Sequence, residues 1–116
     1  MQIQVNTDNH IVGSAELTLQ VESAVQSALG RFSERITRVE VHLTDVNGSQ
    51  KTRGDDIRCV IEARLGGLQP TTVTKNGPSV ALAVDNAVDT LEKTLDRTLE
   101  RLEQHKGRES YAGDQS

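Results

Sequence analysis

The apolar residues of the C-terminal third constrain the fold most, because their spacing specifies one side of a long helix. Seven aliphatic residues follow one another at intervals of 4, 4, 3, 4, 4 and 3 positions. This spacing matches the helical period of about 3.6 residues. It predicts a helix over residues 79 to about 105, roughly 40 Å long. The seven residues are Val80, Val84, Val88, Leu91, Leu95, Leu99 and Leu102.

Three earlier segments alternate apolar and polar residues, which is the pattern of half-buried strands. They are residues 2–7, 36–44 and 57–65. Between the first two, apolar residues from Leu17 to Phe32 follow helical spacing, and Ser14 is placed to cap that helix. The chain is therefore predicted to begin with a strand, a helix and two further strands.

A fourth strand is predicted over residues 69–75, after a turn at Gly66 and Gly67. Pro70 near its start favours a sheet edge, because proline cannot donate a ladder hydrogen bond. With the last helix, the order is β-α-β-β-β-α. The first two strands are expected to pair in parallel and the others as an antiparallel meander. The predicted fold class is α+β, a four-stranded mixed sheet with both helices packed on one face and a polar second face.

The length of 116 residues fits one domain, and we expect residues 1–106 to form it. The polar residues 107–116 are expected to be a disordered tail. Cys59 is the sole cysteine, which excludes an internal disulfide and a cysteine-based zinc site and favours a cytoplasmic protein. No apolar run is long enough to cross a membrane, so a membrane partner is not expected.

The sequence carries no recognisable catalytic motif. His10, His42 and His105 lie on different predicted elements and lack metal-ligand spacing. Cys59 alternates with polar residues on a predicted strand and should face the core rather than act as a nucleophile. No glycine-rich phosphate loop precedes a helix. We therefore predict a protein that is not an enzyme and has no catalytic residue, metal site or cofactor.

The charge balance restricts nucleic-acid partners. The chain has 13 basic and 17 acidic residues, a formal net charge of −4, whereas non-specific DNA binders are usually basic. Phe32 and Tyr111 are the sole aromatic residues, which argues against binding by base stacking. DNA is therefore not an expected partner, and any RNA must be bound through a local cluster of basic residues.

The last helix contains such a cluster, which we call the basic ridge: Lys93, Arg97 and Arg101, four residues apart. The ridge has two interpretations. It is either a solvated face with internal ion pairs, such as Asp89–Lys93 and Arg97–Glu100, or a surface that contacts phosphates. A second basic group follows the first helix and would extend the ridge if the helices lie side by side. The additional candidates are Arg31, Arg35, Arg38 and, less strongly, Lys75.

The leucines of the last helix also have two interpretations. Leu95, Leu99 and Leu102 are either part of the core, or they pair with a second copy of the chain where the helix extends past the sheet. The second interpretation allows a protein–protein dimerisation module on the same fold, without RNA binding.

Three segments carry a family resemblance: MQIQVNTDNHIVG at the start, RFSERITRVEVHL in the middle and VDNAVDTLEKTLDRTLERLEQHK in the last helix. The last is the most specific, with Val84-Asp85 followed by an Asp-x-Leu-x-basic-x-Leu-x-basic pattern from Asp89. From Met1 to about Lys106 the sequence resembles the bacterial ribosome hibernation-promoting factor family, which includes the ribosome-associated translation inhibitors. Because it ends without the additional C-terminal domain of long members, it resembles the short form.

The resemblance implies a fold like that of double-stranded-RNA-binding domains, with an added first strand. It also implies a translation inhibitor that docks on the small ribosomal subunit and sterically blocks the channel for messenger and transfer RNA. Its basic residues would contact ribosomal RNA phosphates, and such shape-and-phosphate recognition needs no aromatic platform.

Overall fold

The elements follow the predicted order in the computed structural model, which describes residues 1–8, 11, 13–46 and 56–115, apart from the side chains of 104–115. The sequence from Asp45 to Asp56 is polar, contains two glycines and predicts a long loop, and residues 47–55 of it lie outside the described residues. The strands are β1 (Gln2–Thr7), β2 (Ile36–Asp45), β3 (Ile57–Leu65) and β4 (Thr71–Gly77). The helices are α1 (Ala15–Leu29), which a 3₁₀ turn (Gly30–Phe32) extends, and α2 (Val80–Gln115).

The four strands form one sheet in the order β1-β2-β3-β4. β1 pairs with β2 in parallel, and the other two pairs are antiparallel. α1 packs near β1, whereas α2 packs against β3 and β4 on the same face of the sheet. The predicted fold class is confirmed.

The core lies between the helices and one face of the sheet. On β2 and β3 the paired residues Val41 and Ile61 are fully buried. The next pair on the same face, Leu43 and Cys59, is also buried, with at most 1% of either residue exposed. α2 contributes Leu91 and Leu95, both without exposed surface. This resolves the two interpretations of the leucines in favour of the core at position 95, because apolar burial against the sheet stabilises that arrangement.

Local signals in the sequence account for most element ends. The Ser14 hydroxyl accepts a hydrogen bond from the Leu17 amide at 3.0 Å, which confirms the predicted cap of α1. Ser79 caps α2 in the same way, so that helix begins at Val80. Between β3 and β4, Gly67 has a φ of 76°, a conformation that glycine adopts at little cost.

Two boundaries differ from the prediction. β4 covers Thr71–Gly77 rather than residues 69–75, because Pro70 has no amide hydrogen to donate to the sheet and the strand begins after it. α2 continues to Gln115 rather than ending near residue 105. No proline interrupts that segment, and extending an existing helix requires only one further hydrogen bond per residue. A separate tail over residues 107–116 stays a prediction.

Candidate nucleic-acid interface

The basic ridge is exposed along α2. Lys93, Arg97 and Arg101 all lie on the surface, and their backbone positions span about 12 Å of helix. The Lys93 Nζ lies 3.2 Å from an Asp89 carboxylate oxygen, which confirms that predicted pair. Within the described residues, Arg97 and Arg101 form no ion pair, so the predicted Arg97–Glu100 pair is absent. Arg97 and Arg101 therefore present cations that are free to contact an anion, whereas Lys93 is paired with Asp89.

The ridge lies on the side of α2 that faces β4. Asn86, two turns before Lys93, donates a hydrogen bond to the Asn76 carbonyl of β4 at 3.1 Å. Two turns of helix return a side chain to nearly the same direction, so Lys93 shares this side. Arg101 borders a shallow groove together with Leu68, which belongs to the β3–β4 turn. Both ends of the ridge thus lie at the β4 edge of the molecule.

Lys75 lies at the same edge. It pairs in register with Cys59, whose side chain is buried beneath the helices, so Lys75 is on the helix side of the sheet. It is exposed. The fold thus places Lys75 on the side of the molecule that carries the basic ridge.

The neighbouring side of α2 is acidic. Six carboxylates follow helical spacing on the side that faces α1, and we call them the acidic stripe. The stripe comprises Asp85, Asp89, Glu92, Asp96, Glu100 and Glu103. The two charge types are therefore concentrated on two adjacent sides of one helix, which meet at the Asp89–Lys93 pair.

Arg31 binds the acidic stripe. Its guanidinium donates two hydrogen bonds to Asp96, at 2.6 and 2.8 Å, and two longer ones of 3.3 Å to Glu92. It also lies 4.3 Å from the centroid of the Phe32 ring. The hydrogen bonds from Arg31 hold the pKa of Asp96 below its usual range. Arg31 thus joins the end of α1 to α2, and the predicted extension of the basic ridge through Arg31 does not occur.

Arg38 points away from α2, and Arg35 lies in the turn before β2. Arg38 lies on β2 at a position that faces away from the helices, where it donates to the Gln4 side chain and pairs with Glu40 at 3.0 Å. Arg35 is exposed in the turn before β2, and its carbonyl accepts from the Gly66 amide. The sheet separates Arg38 from α2, so Arg38 does not join the basic ridge.

Two further arginines share the open face of the sheet with Arg38. Arg64 lies opposite Arg38 in register and pairs with Glu62 at 3.6 Å, whereas Arg58 has no ion pair among the described residues. The alternation of apolar and polar residues along β3 predicts that both arginines lie on this face. Which residues lie opposite each other on neighbouring strands follows only from the register of the sheet. This face mixes both charge signs and is not a second ridge.

The part of the chain that the structure describes gives little support for a metal site, a reactive cysteine or a membrane-spanning helix. No three metal-ligating side chains lie together there. The side chains of His10 and His105 lie outside the described residues, and His42 is 3.4 Å from Glu40 on the open face. Burial raises the pKa of the Cys59 thiol to about 12. No described helix is long and apolar enough to cross a membrane.

A β-α-β-β-β-α chain with one four-stranded mixed sheet, both helices on one face and an exposed basic ridge defines a small α+β domain. Within that class, a family model described as sigma 54 modulation protein / S30EA ribosomal protein matches residues 3–103. The chain belongs to this family, which confirms the resemblance drawn from the sequence.

Two solved structures are similar to this one. The N-terminal domain of Protein Y from Thermus thermophilus is 23% identical, with 84% of this chain and 99% of that chain covered and a TM-score of 0.66. A ribosomal subunit interface protein from Coxiella burnetii is 14% identical, with 86% and 99% covered and a TM-score of 0.63. At these identities the likeness shows the fold. None of the curated proteins compared matches the chain.

Proposed function

We propose that this protein binds the small ribosomal subunit and inhibits translation by occupying the channel for messenger and transfer RNA. The observation that carries the proposal is the exposed basic ridge, in which Arg97 and Arg101 have no ion-pair partner among the described residues. The chain belongs to a family described as an S30EA ribosomal protein, and this family membership is our reason for proposing the ribosome as the anionic partner. Its neighbours in fold include a protein described as a ribosomal subunit interface protein.

The geometry supports contact with phosphates rather than with bases. Lys75 and the basic ridge lie at one edge of a rigid sheet–helix unit, so their spacing is set before binding. Exposed Lys and Arg side chains bind phosphate oxygens without aromatic stacking. The Phe32 ring is buried, so it is not available to stack on a base. Folded RNA with a matching groove is the expected ligand, and the bulk of the domain would then exclude other RNA.

Within this proposal the arginines of the second group have different roles. Arg31 positions α2 through Asp96 and Glu92 and is not assigned a phosphate. Arg35 remains exposed and available as a peripheral contact. Arg38 lies on the open face of the sheet, so it contacts RNA only if the ribosomal site also covers that face.

Co-sedimentation with small subunits in low-salt sucrose gradients tests the ribosome partner. The triple variant Lys93→Gln, Arg97→Gln, Arg101→Gln should be lost from the subunit fraction. A matched control, Gln2→Glu, Gln26→Glu, Thr74→Glu, changes the net charge of −4 by the same three units at exposed sites elsewhere and should still co-sediment. Equal binding of both variants would remove the ridge from the proposal, and absence of the wild type from the subunit fraction would contradict it altogether.

Channel occupancy needs its own measurement. Binding of initiator transfer RNA to programmed small subunits should fall as the protein is added, and excess transfer RNA should displace the protein. Simultaneous binding of both would place the protein elsewhere on the subunit.

The alternative function is a dimerisation module that uses Leu95, Leu99 and Leu102 of α2. One of these three residues, Leu95, is not available for contact with a second copy. Leu95 has no exposed surface, and Leu99 is half-buried against the core. A second copy could reach Leu95 only by disrupting the packing of α2 on the sheet.

A further inference from the structure

Among the described strands, none pairs with the outer edge of β1. β1 is the first strand of the sheet and pairs only with β2. No described backbone group outside the β1–β2 ladder bonds to residues 2–7 on this side. Since alternate amides and carbonyls of an edge strand point outward, β1 presents a row of hydrogen-bonding groups to solvent.

The two edges of the sheet differ in how they are protected. β4 carries the charged Lys75, follows Pro70, and has the Asn76 carbonyl bonded to the Asn86 side chain. Charge and proline are the usual devices that keep an edge strand from pairing. β1, with the sequence QIQVNT, has neither a charge nor a proline. The open edge is thus confined to one side of the molecule.

The β1 edge is also apolar on its helix side. Ile3 and Val5 are only half-buried, although they face the core. Leu19 of α1 is 65% exposed, more than any other large apolar side chain described. It lies on the side of α1 away from α2, because Leu17 and Gln20 line the groove between the helices and Leu19 projects differently. These residues would be covered by a further strand and helix placed beside β1.

We propose that a second copy of this chain pairs with β1, antiparallel, about a two-fold axis through Gln4. In this register Gln4 faces Gln4 of the partner subunit, and Ile3 faces Val5 of the partner subunit. Gln2 then faces Asn6 of the partner subunit. Amides meet amides on the open face and aliphatic residues meet aliphatic residues beneath the helices, so the strand is complementary to itself as an isologous contact requires.

The charge pattern favours a second copy over an unrelated strand. No charged residue occurs within β1, so no like charges oppose each other across the axis. The pairing keeps both helix layers on one side of an eight-stranded sheet and brings the two Leu19 side chains toward the same junction. Because β4 is protected, the assembly closes at two copies. The inference does not depend on ribosome binding, since the basic ridge lies at the opposite edge.

Sedimentation equilibrium of the purified chain tests the pairing. The mass should rise with concentration from 12.7 kDa toward twice that value, with no larger species. Gln4→Glu should hold the protein at the monomer mass, because two carboxylates then oppose each other at the axis. The same change leaves the Arg38 contact of Gln4 in place as an ion pair, so the monomer should melt at an unchanged or higher temperature.

The matched control is Thr74→Glu, the same charge on the open face of β4, and it should dimerise like the wild type. Amide exchange should slow at residues 2–7 as the wild-type dimer forms. A wild type that stays monomeric up to about 1 mM would overturn the proposal. So would a dimer that Gln4→Glu leaves intact, and loss of that dimer in a Leu102→Lys variant would instead assign the interface to α2.

Discussion

Gly77 shows how one residue determines the approach of two elements. It ends β4 directly beneath the first turn of α2, and a Cβ added there would lie 2.5 Å from the Ala83 amide nitrogen and 2.8 Å from its Cα. Both atoms belong to the backbone, so no side chain can move aside. The close contact is possible because glycine has no Cβ.

Gly77→Ala should therefore lower the free energy of unfolding by about 1–3 kcal/mol, since α2 must shift from the sheet. Urea denaturation monitored by circular dichroism measures the loss. Gly30→Ala is the control, because nothing lies within 4 Å of a Cβ at that position. Equal unfolding midpoints for the two variants would show that α2 accommodates the methyl group at little cost.

Cys59 is expected to be unreactive in the folded protein. Its side chain has no exposed surface, and its pKa of about 12 keeps the thiol protonated at physiological pH. Ellman's reagent at about pH 8 should modify it only after denaturant is added. Because the unfolded thiol ionises near pH 8.5 and the folded one does not, stability should fall as pH rises above about 8.5. Cys59→Ala should lack this part of the alkaline decrease. Rapid modification of the native protein would contradict its burial.

At the scale of elements, the contact between Arg31 and α2 joins the end of the first helical segment to the middle of the last helix. Its pH dependence follows from Asp96, whose pKa is lowered by the hydrogen bonds from Arg31. A lowered pKa stabilises the fold above the unfolded pKa of about 4, and this contribution is lost as pH falls through the folded value.

Asp96→Asn should therefore make stability less dependent on pH between neutral and about pH 3, because the titrating partner of Arg31 is removed. Urea midpoints at both pH values provide the measurement. Asp85→Asn, on the same acidic stripe but with no contact to Arg31, should retain the wild-type difference. A result in which both variants respond alike would assign the acid sensitivity to the stripe as a whole.

The elements themselves were predictable from the sequence, because each uses one hydrophobic period throughout. The Ser14 cap and the turn at Gly66 and Gly67 were predictable as well, since those residue types have specific local roles. The direction in which each charged side chain points was not predictable from the sequence. Arg31 meets Asp96 across 65 positions in the chain, and Arg38 faces away from the helices through the pleat of β2. Such long-range placement depends on the packing of helices on the sheet.

For the whole molecule, the salt dependence of ribosome association distinguishes its two sides. Replacing Arg97 by Gln should weaken binding and reduce the slope of log K against log salt by about 0.7–0.9, the effect of losing one phosphate contact. Arg38→Gln, on the open face of the sheet, should leave the slope unchanged. Filter binding or sedimentation over a salt series measures both. A reduced slope for Arg38→Gln alone would place the open face against the RNA.

The sorting of charges on α2 gives the molecule an electric dipole transverse to that helix. A polyanion repels the net charge of −4 at long range. Within a Debye length of about 8 Å, however, the unequal forces on the basic ridge and on the acidic stripe act as a torque. That torque rotates the ridge toward the anion and turns α1 away before any atoms touch. For the RNA target that we propose, encounters in the wrong orientation would thereby be rejected during diffusion, and the acidic residues would contribute to selectivity without touching the target.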